Sequence, residues 1–237
     1  MDCLEGMKQI PERSIDLVVC DPPYLIGNQG GGFWSKAKEG NHYNARGTRK
    51  GMDKLNDIKD GIGEIFLDKI CQTMKRINIY IFCSQKQIPQ YIDYFVNKRQ
   101  CNWNLLSWHK TNPIPACGNK YLNDTEYILF FREKGVRLFG SYQTKRTFYT
   151  TLRNQQDNIR YGHPTVKPCQ IIQNFIVNSS NIGEIILDPF IGSGTTAVAC
   201  IKENRKYIGF EINKEYFTNA QKRIEEEIKE TSLNYGL

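Results

Sequence analysis

A chain of 237 residues with 40% hydrophobic content is long enough for one sizeable domain with a continuous core, and no stretch approaches the ~18 consecutive apolar residues of a membrane span. The N-terminus, MDCLEGMKQI, has neither the basic nor the apolar region of an export signal, so the expectation is a soluble, unexported, cytoplasmic protein. Eight widely spaced cysteines, without a C-x-x-C pair or a Cys/His cluster, read as reduced thiols and give no metal site.

In chain order, 15–20 (IDLVVC) predicts a strand and 27–53 a loop carrying seven glycines. A helix-length segment, 62–76, leads to a strand at 77–83 (INIYIFC), and a second, 86–99, leads to one at 103–108 (WNLLSW). A loop at 109–124, a strand at 125–131 (TEYILFF) and a long loop at 132–166 follow. Then come a helix at 168–178, a strand at 184–187 (EIIL), a helix at 195–204 and a strand at 206–211 (KYIGFE). The chain ends in an amphipathic helix over roughly 213–231, whose mixed charges (KRIEEEIKE) read as a solvated face. Strands alternating with helices predict an α/β fold with a doubly wound, mostly parallel sheet, which binds ligands at the carboxyl ends of its strands.

The net charge of +7 is localised: six Lys/Arg against two acids give +4 over 36–54, eight against two give +6 over 132–167, and the remainder sums to −3. Both tracts interleave aromatics, among them Tyr43, Tyr142, Phe148 and Tyr149. That pattern suits phosphates and stackable bases; a solvated loop surface is the alternative.

Two motifs carry chemistry. Directly after the first strand stands Asp21-Pro22-Pro23-Tyr24. The prolines end the ladder and stiffen the chain, leaving a carboxylate and free carbonyls able to accept two amino hydrogens, with the Tyr24 ring beside them for stacking on a planar base. A Pro-Pro turn with Asp21 as a local cap is the simpler alternative. The second motif is EIILDPFIGSGTTAVAC, where a strand leads into Asp188-Pro189-Phe190, then Gly192-Ser193-Gly194-Thr195-Thr196 and a helix. The glycines let a ligand approach the backbone at a helix N-terminus, and Glu211, ending the next strand, is placed to bind ribose hydroxyls. An adenosine-bearing cofactor is the natural occupant. The third glycine of G-x-G-x-x-G and the G-K-[ST] of a phosphate loop are both missing.

With these motifs the chain resembles the S-adenosylmethionine-dependent DNA amino-methyltransferases, which methylate adenine N6 or cytosine N4. A third match is His163-Pro164-Thr165-Val166-Lys167-Pro168, and the order, catalytic motif before cofactor motif, is similar to the family's beta group. The resemblance covers nearly the whole chain. It implies the Rossmann-like class I methyltransferase fold with circularly permuted motifs, as a single domain over 1–237 with DNA-contacting loops inserted at 28–53 and 116–162.

It further implies that Asp21, Pro22, Pro23 and Tyr24 hold the target base. S-adenosylmethionine would be surrounded by Asp188, Pro189, Phe190, Gly192, Ser193, Gly194, Thr195, Thr196 and Glu211, with Thr165 and Lys167 at its methionine end. Relatives carry a strand and an acid ahead of the helix that leads into DPPY; here Asp2, in Asp2-Cys3-Leu4-Glu5, is the acid expected toward the adenine. The Trp108–Pro115 segment and Glu126 resemble active-site wall residues. Lys36, Lys38, Arg46, Arg49, Lys50, Lys145, Arg146 and Arg153 are expected on the backbone of double-stranded DNA, with a homodimer and a cognate restriction endonuclease as further partners. The implied reaction is methylation of adenine N6 in a flipped-out base. N4-cytosine methylation and a catalytically silent DNA-binding protein are the alternatives, and Asp ahead of Pro-Pro-Tyr favours adenine.

Overall fold

The structure is a computed structural model and describes residues 1–24, 62–115, 119, 121–153, 155–162 and 166–235. Among the described residues seven strands form one sheet: β1 (Leu17–Cys20), β2 (Asn78–Cys83), β3 (Asn102–Lys110), β4 (Thr125–Arg132), β5 (Phe148–Thr151), β6 (Ile185–Asp188) and β7 (Lys206–Gly209). Their spatial order is β5-β3-β4-β2-β1-β6-β7. Of these seven strands only β4 is antiparallel, to β2 on one side and β3 on the other, so the sheet is mostly parallel as the alternation of elements predicts.

The helices are α1 (Cys3–Met7), α2 (Glu64–Thr73), α3 (Ile88–Ile92, continuing as a π-helical stretch over Asp93–Lys98), α4 (Gln155–Arg160), α5 (Cys169–Ser179), α6 (Thr195–Lys202) and α7 (Lys214–Tyr235). The period-2 alternation of the strands separates two buried layers. Val18, Ile79, Ile81, Leu129 and Phe131 pack under α1, α2 and α3. Leu17, Val19, Tyr80, Phe82, Ile128 and Phe130 pack under α5 and α6. On that second side the Tyr80 ring lies 4.2 Å, centroid to centroid, from both Phe130 and Phe175, and each such pair adds ~0.5–1.5 kcal/mol to plain burial.

The central strands β1 and β2 are buried along their whole length, which is why they read as continuous apolar runs. β1 leads through α2, on one face, to β2; its other neighbour, β6, leads through α6, on the opposite face, to β7. The crevice outside the carboxyl ends of β1 and β6 is therefore the switch point of the sheet, where open α/β sheets bind their ligands.

The tract 132–166, expected as loop, contains β5 and α4. β5 pairs in parallel with the end of β3, and of its four residues only Tyr149 is buried, too little for an apolar signature. The five-residue α1 is likewise short; Asp2 caps it, Oδ1 accepting from the Leu4 and Glu5 amides at 2.9 and 3.2 Å. No helix among the described residues is long and apolar enough to cross a membrane.

Candidate active site

The Asp21–Tyr24 turn leaves the carboxyl end of β1, and two unlike anchors hold it. Gln87, fully buried at the start of α3, donates to the Pro23 carbonyl at 3.3 Å while its own Oε1 accepts from the Ser84 amide and hydroxyl at 3.0 and 2.9 Å. Asp21 faces Lys167, whose Nζ lies 2.5 Å from its Oδ2. Lys167 also reaches Glu126 Oε2 at 3.4 Å, Lys110 reaches Glu126 Oε1 at 2.6 Å, and the Tyr24 hydroxyl donates to Glu126 Oε2 at 3.2 Å.

Burial is the largest single influence on each group of this cluster, but for Lys167 and Glu126 the neighbouring charges together outweigh it. Burial disfavours the Lys167 ammonium, but Asp21 and Glu126 outweigh it and raise its pKa. Burial also opposes the Glu126 carboxylate, yet Lys167 and Lys110 hold it below the usual range. Asp21 goes the other way: burial, helped by the charge of Glu126, raises its pKa despite Lys167. The turn thus presents a carboxyl poised to take up a proton.

The second motif forms the wall opposite. Gly192 and Gly194 adopt φ of 49° and 80°, the left-handed region open to glycine at little cost, and fold the chain tightly between β6 and α6. Asp188 stitches this turn from inside: Oδ1 accepts from the Phe190 amide at 3.0 Å and Oδ2 from the Thr196 hydroxyl at 2.5 Å, while burial pushes the carboxyl up to about 7. Glu211, just past β7, is fixed through both oxygens, by the Gly192 amide at 3.1 Å and the Asn213 amide at 2.7 Å. Burial raises its pKa, and those amides pull it partly back.

The two motifs open into one cleft, lined among others by Asp21, Lys167, Asp188, Phe190, Gly192 and Ser193. Thr195 and Thr196 line it as well, Gly194 and Pro189 belong to the turn, and Glu211 joins it through Gly192. Residues from both ends of the sequence thereby meet. Asp2 spends Oδ1 on capping α1. Thr165, and Lys36, Lys38, Arg46, Arg49 and Lys50, lie outside the described residues.

Lys145 and Arg146 are exposed and line a shallow depression with Tyr142 and Phe148, a basic surface interleaved with aromatics. Arg153 differs: it is half-buried, and its amide is tied to Asn112 Oδ1 at 2.5 Å.

Two participants escape sequence reasoning, Gln87 and Arg223. Arg223 lies in α7, in the stretch expected as a solvated face, but is only 5% exposed. Its guanidinium is bound to Ser193 and Thr195 of the glycine turn. The available signal is spacing: Ala220 and Arg223, three apart, share the buried face of an otherwise charged helix.

A Rossmann-like sheet whose switch-point crevice brings Asp21-Pro22-Pro23-Tyr24 together with the Gly192–Gly194 turn and Glu211 is the architecture of an S-adenosylmethionine-dependent methyltransferase. The chain belongs to the DNA methylase family, whose model matches residues 15–222. It is 29% identical over 251 residues to the type II methyltransferase M.HinfI of Haemophilus influenzae, a match covering 95% of this chain and 67% of that protein. It is 27% identical over 254 residues to M2.DpnII of Streptococcus pneumoniae, covering 95% and 88%. Among solved structures, the M1.HpyAVI–SAM complex superposes with a TM-score of 0.67 at 25% identity over 94% of this chain and 96% of that one. The cytosine-N4-specific PvuII DNA methyltransferase shares the fold, with a TM-score of 0.67 at 15% identity over 98% and 90%.

Proposed function

We propose that this protein transfers the methyl group of S-adenosylmethionine to adenine N6 of a base extruded from duplex DNA. The observation that carries the reading is the shared cleft: the Asp21 carboxyl and the turn Gly192–Thr196 face one cavity, an acceptor for an amino group opposite a seat for the cofactor. The residues fit that cofactor. Gly192 and Gly194 present bare backbone, and Glu211 is held rigid by two amides next to it. Bound there, S-adenosylmethionine supplies an electrophilic methyl group on a cationic sulfur.

The chain's own residues do the rest. The exocyclic nitrogen of adenine is a weak nucleophile because its lone pair is delocalised into the ring. Asp21 and the Pro22 carbonyl accept its hydrogens and favour the pyramidal, electron-rich form. Asp21, with its raised pKa, can then take the proton that the methylated nitrogen sheds. Tyr24, fixed through its hydroxyl to Glu126, offers a ring to replace the stacking lost on extrusion. Gln87 and the prolines keep these acceptors in place, so alignment and preorganisation supply the larger share of the acceleration.

Adenine is favoured over cytosine by Asp21 ahead of Pro-Pro-Tyr and by the relative named DNA adenine methyltransferase YhdJ, of Escherichia coli, 26% identical over 94% of this chain. The type II designation of M.HinfI and M2.DpnII supports a cognate endonuclease as partner and a bacterial cytoplasm as location. The test is transfer of labelled methyl from S-adenosylmethionine to plasmid DNA, followed by nucleoside chromatography. Label in N6-methyladenine that disappears in Asp21→Ala is the expected result. Label in N4-methylcytosine would move the substrate, and no label in any DNA would end the reading.

A further inference from the structure

Glu126 lies on β4, far in sequence from both motifs, yet it is the centre of a chain of alternating charges ending on Asp21. Lys110 binds one of its oxygens, Lys167 and Tyr24 bind the other, and Lys167 spans on to Asp21. The two carboxylates therefore compete for one buried ammonium. Lys110 weights that competition by neutralising Glu126 from the far side.

Asp21 needs such a balance. In the free protein one of its oxygens is engaged by Lys167, whereas in the reaction it must accept an amino hydrogen and then a proton. If Lys167 had Asp21 as its sole partner, neutralising the aspartate would strand a charge in the interior, a costly event. Glu126 provides the ammonium a second place to rest.

We propose that Glu126 is a positioning residue that sets how tightly Lys167 holds Asp21, so that Asp21 can exchange the lysine for the target amino group. This rests on the methyl-transfer reading. As the target nitrogen forms its bond to carbon, the carbon–sulfur bond breaks and its electron pair stays on sulfur. The cationic nitrogen releases one proton to Asp21, which becomes neutral, and Lys167 keeps its charge against Glu126.

Several other groups face this centre: Cys20 on β1, Cys83 at the end of β2, Tyr91 on α3 and Asp188 at the end of β6. Burial raises the two thiols and the Tyr91 phenol, so they stay neutral across the working range. Asp188 does titrate there, but it is common to parent and variants.

The experiment compares parent, Glu126→Gln and Lys110→Met by 13C NMR of aspartate-labelled protein, assigning the Asp21 carboxyl by its loss in Asp21→Asn, and by the pH profile of single-turnover methyl transfer. Removing the Glu126 charge leaves Lys167 to Asp21 alone, so Asp21 titrates about 1 unit lower; removing Lys110 strengthens Glu126 and moves it upward. The acid limb of the turnover rate should follow in both variants, with cofactor affinity by calorimetry within a factor of about two of the parent. Titrations that stay put or move the same way, or a rate limb that ignores them, overturn the proposal. So does a loss of cofactor affinity at unchanged turnover, which would make Glu126 part of the cofactor seat. A parent that titrates as described but methylates nothing refutes the methyl-transfer reading, and this role of Glu126 with it. A methylating parent whose variants behave alike refutes only the role of Glu126.

Discussion

The guanidinium of Arg223, near the middle of α7, donates to the carbonyl and the hydroxyl of Ser193 at 3.1 and 3.3 Å. It also donates to the Thr195 hydroxyl at 3.0 Å and stacks 4.2 Å from the Tyr161 ring. One buried side chain thus ties the glycine turn to the last helix and to the segment leading toward Lys167. Arg223→Ala should leave the buried Ser193 and Thr195 oxygens short of donors, at about 1–3 kcal/mol, and loosen the turn. We expect S-adenosylmethionine to bind at least about tenfold more weakly by calorimetry, with a lower melting temperature. Arg223→Lys, which keeps one charged donor but not the planar fork, should fall between. Wild-type cofactor affinity in Arg223→Ala would show that the turn holds itself.

Two glycines near this turn fail for different reasons. Gly194 has φ of 80°, so Ala there pays the left-handed penalty of about 1–2 kcal/mol, and its Cβ would lie 3.3 Å from Ala220 Cβ. Gly209 has ordinary backbone, but a Cβ would sit 2.2 Å from Ile191 Cδ1 and 3.0 Å from Ile191 Cβ. Gly209→Ala should therefore cost about 1–3 kcal/mol by overpacking and displace Ile191 from the turn. Chemical denaturation measures both losses. Restoring Gly209→Ala with Ile191→Val should recover part of the second and none of the first.

The sequence makes the sheet legible where burial is two-sided. β1, β2 and β6 are apolar runs ending in acid-proline pairs or polar turns, and the motifs at the ends of β1 and β6 converge because those strands are neighbours. β5, with only Tyr149 buried, leaves no such run. The candidate site is legible where its residues fall in one short stretch, as in Asp21–Tyr24 and Asp188–Thr196, which meet at one cleft. It is not legible where a lone polar residue works across the fold. Gln87 stands just ahead of α3 beside Lys86, and Arg223 lies within α7 beside Lys222; apart from its spacing from Ala220, nothing local separates the buried arginine from that exposed lysine. Glu126 lies between: its segment reads as a wall, and only the distances to Lys110 and Lys167 reveal a hub.

Lys145 and Arg146 provide a test of the proposal that this surface faces DNA. Both are exposed beside Tyr142 and Phe148, remote from the glycine turn in sequence. If each neutralises a phosphate, the double variant Lys145→Ala/Arg146→Ala should bind duplex DNA more weakly, and the slope of log affinity against log salt should fall by about 2. Cofactor affinity should be unchanged. Fluorescence anisotropy over a salt series gives the slope, and an unaltered slope would remove these two residues from the interface.

Asp188 links the site to the pH dependence of stability. An unfolded aspartate titrates near ~3.9, whereas burial holds this one at about 7. Between those values the folded protein keeps a proton that the unfolded chain gives up, so stability falls as pH rises from about 4 to about 7 and is level above. Each unit of that gap corresponds to ~1.4 kcal/mol. Asp188→Asn removes the titration while its amide can still meet the Thr196 hydroxyl, so the variant should lose less melting temperature between pH 5 and pH 8 than the parent. Some slope should remain, because the Asp21 and Glu211 carboxyls are also raised by burial. Parallel melting curves for parent and variant would mean that Asp188 is ionised throughout, and that the glycine turn is stitched by a charge rather than by a carboxyl that titrates near neutrality.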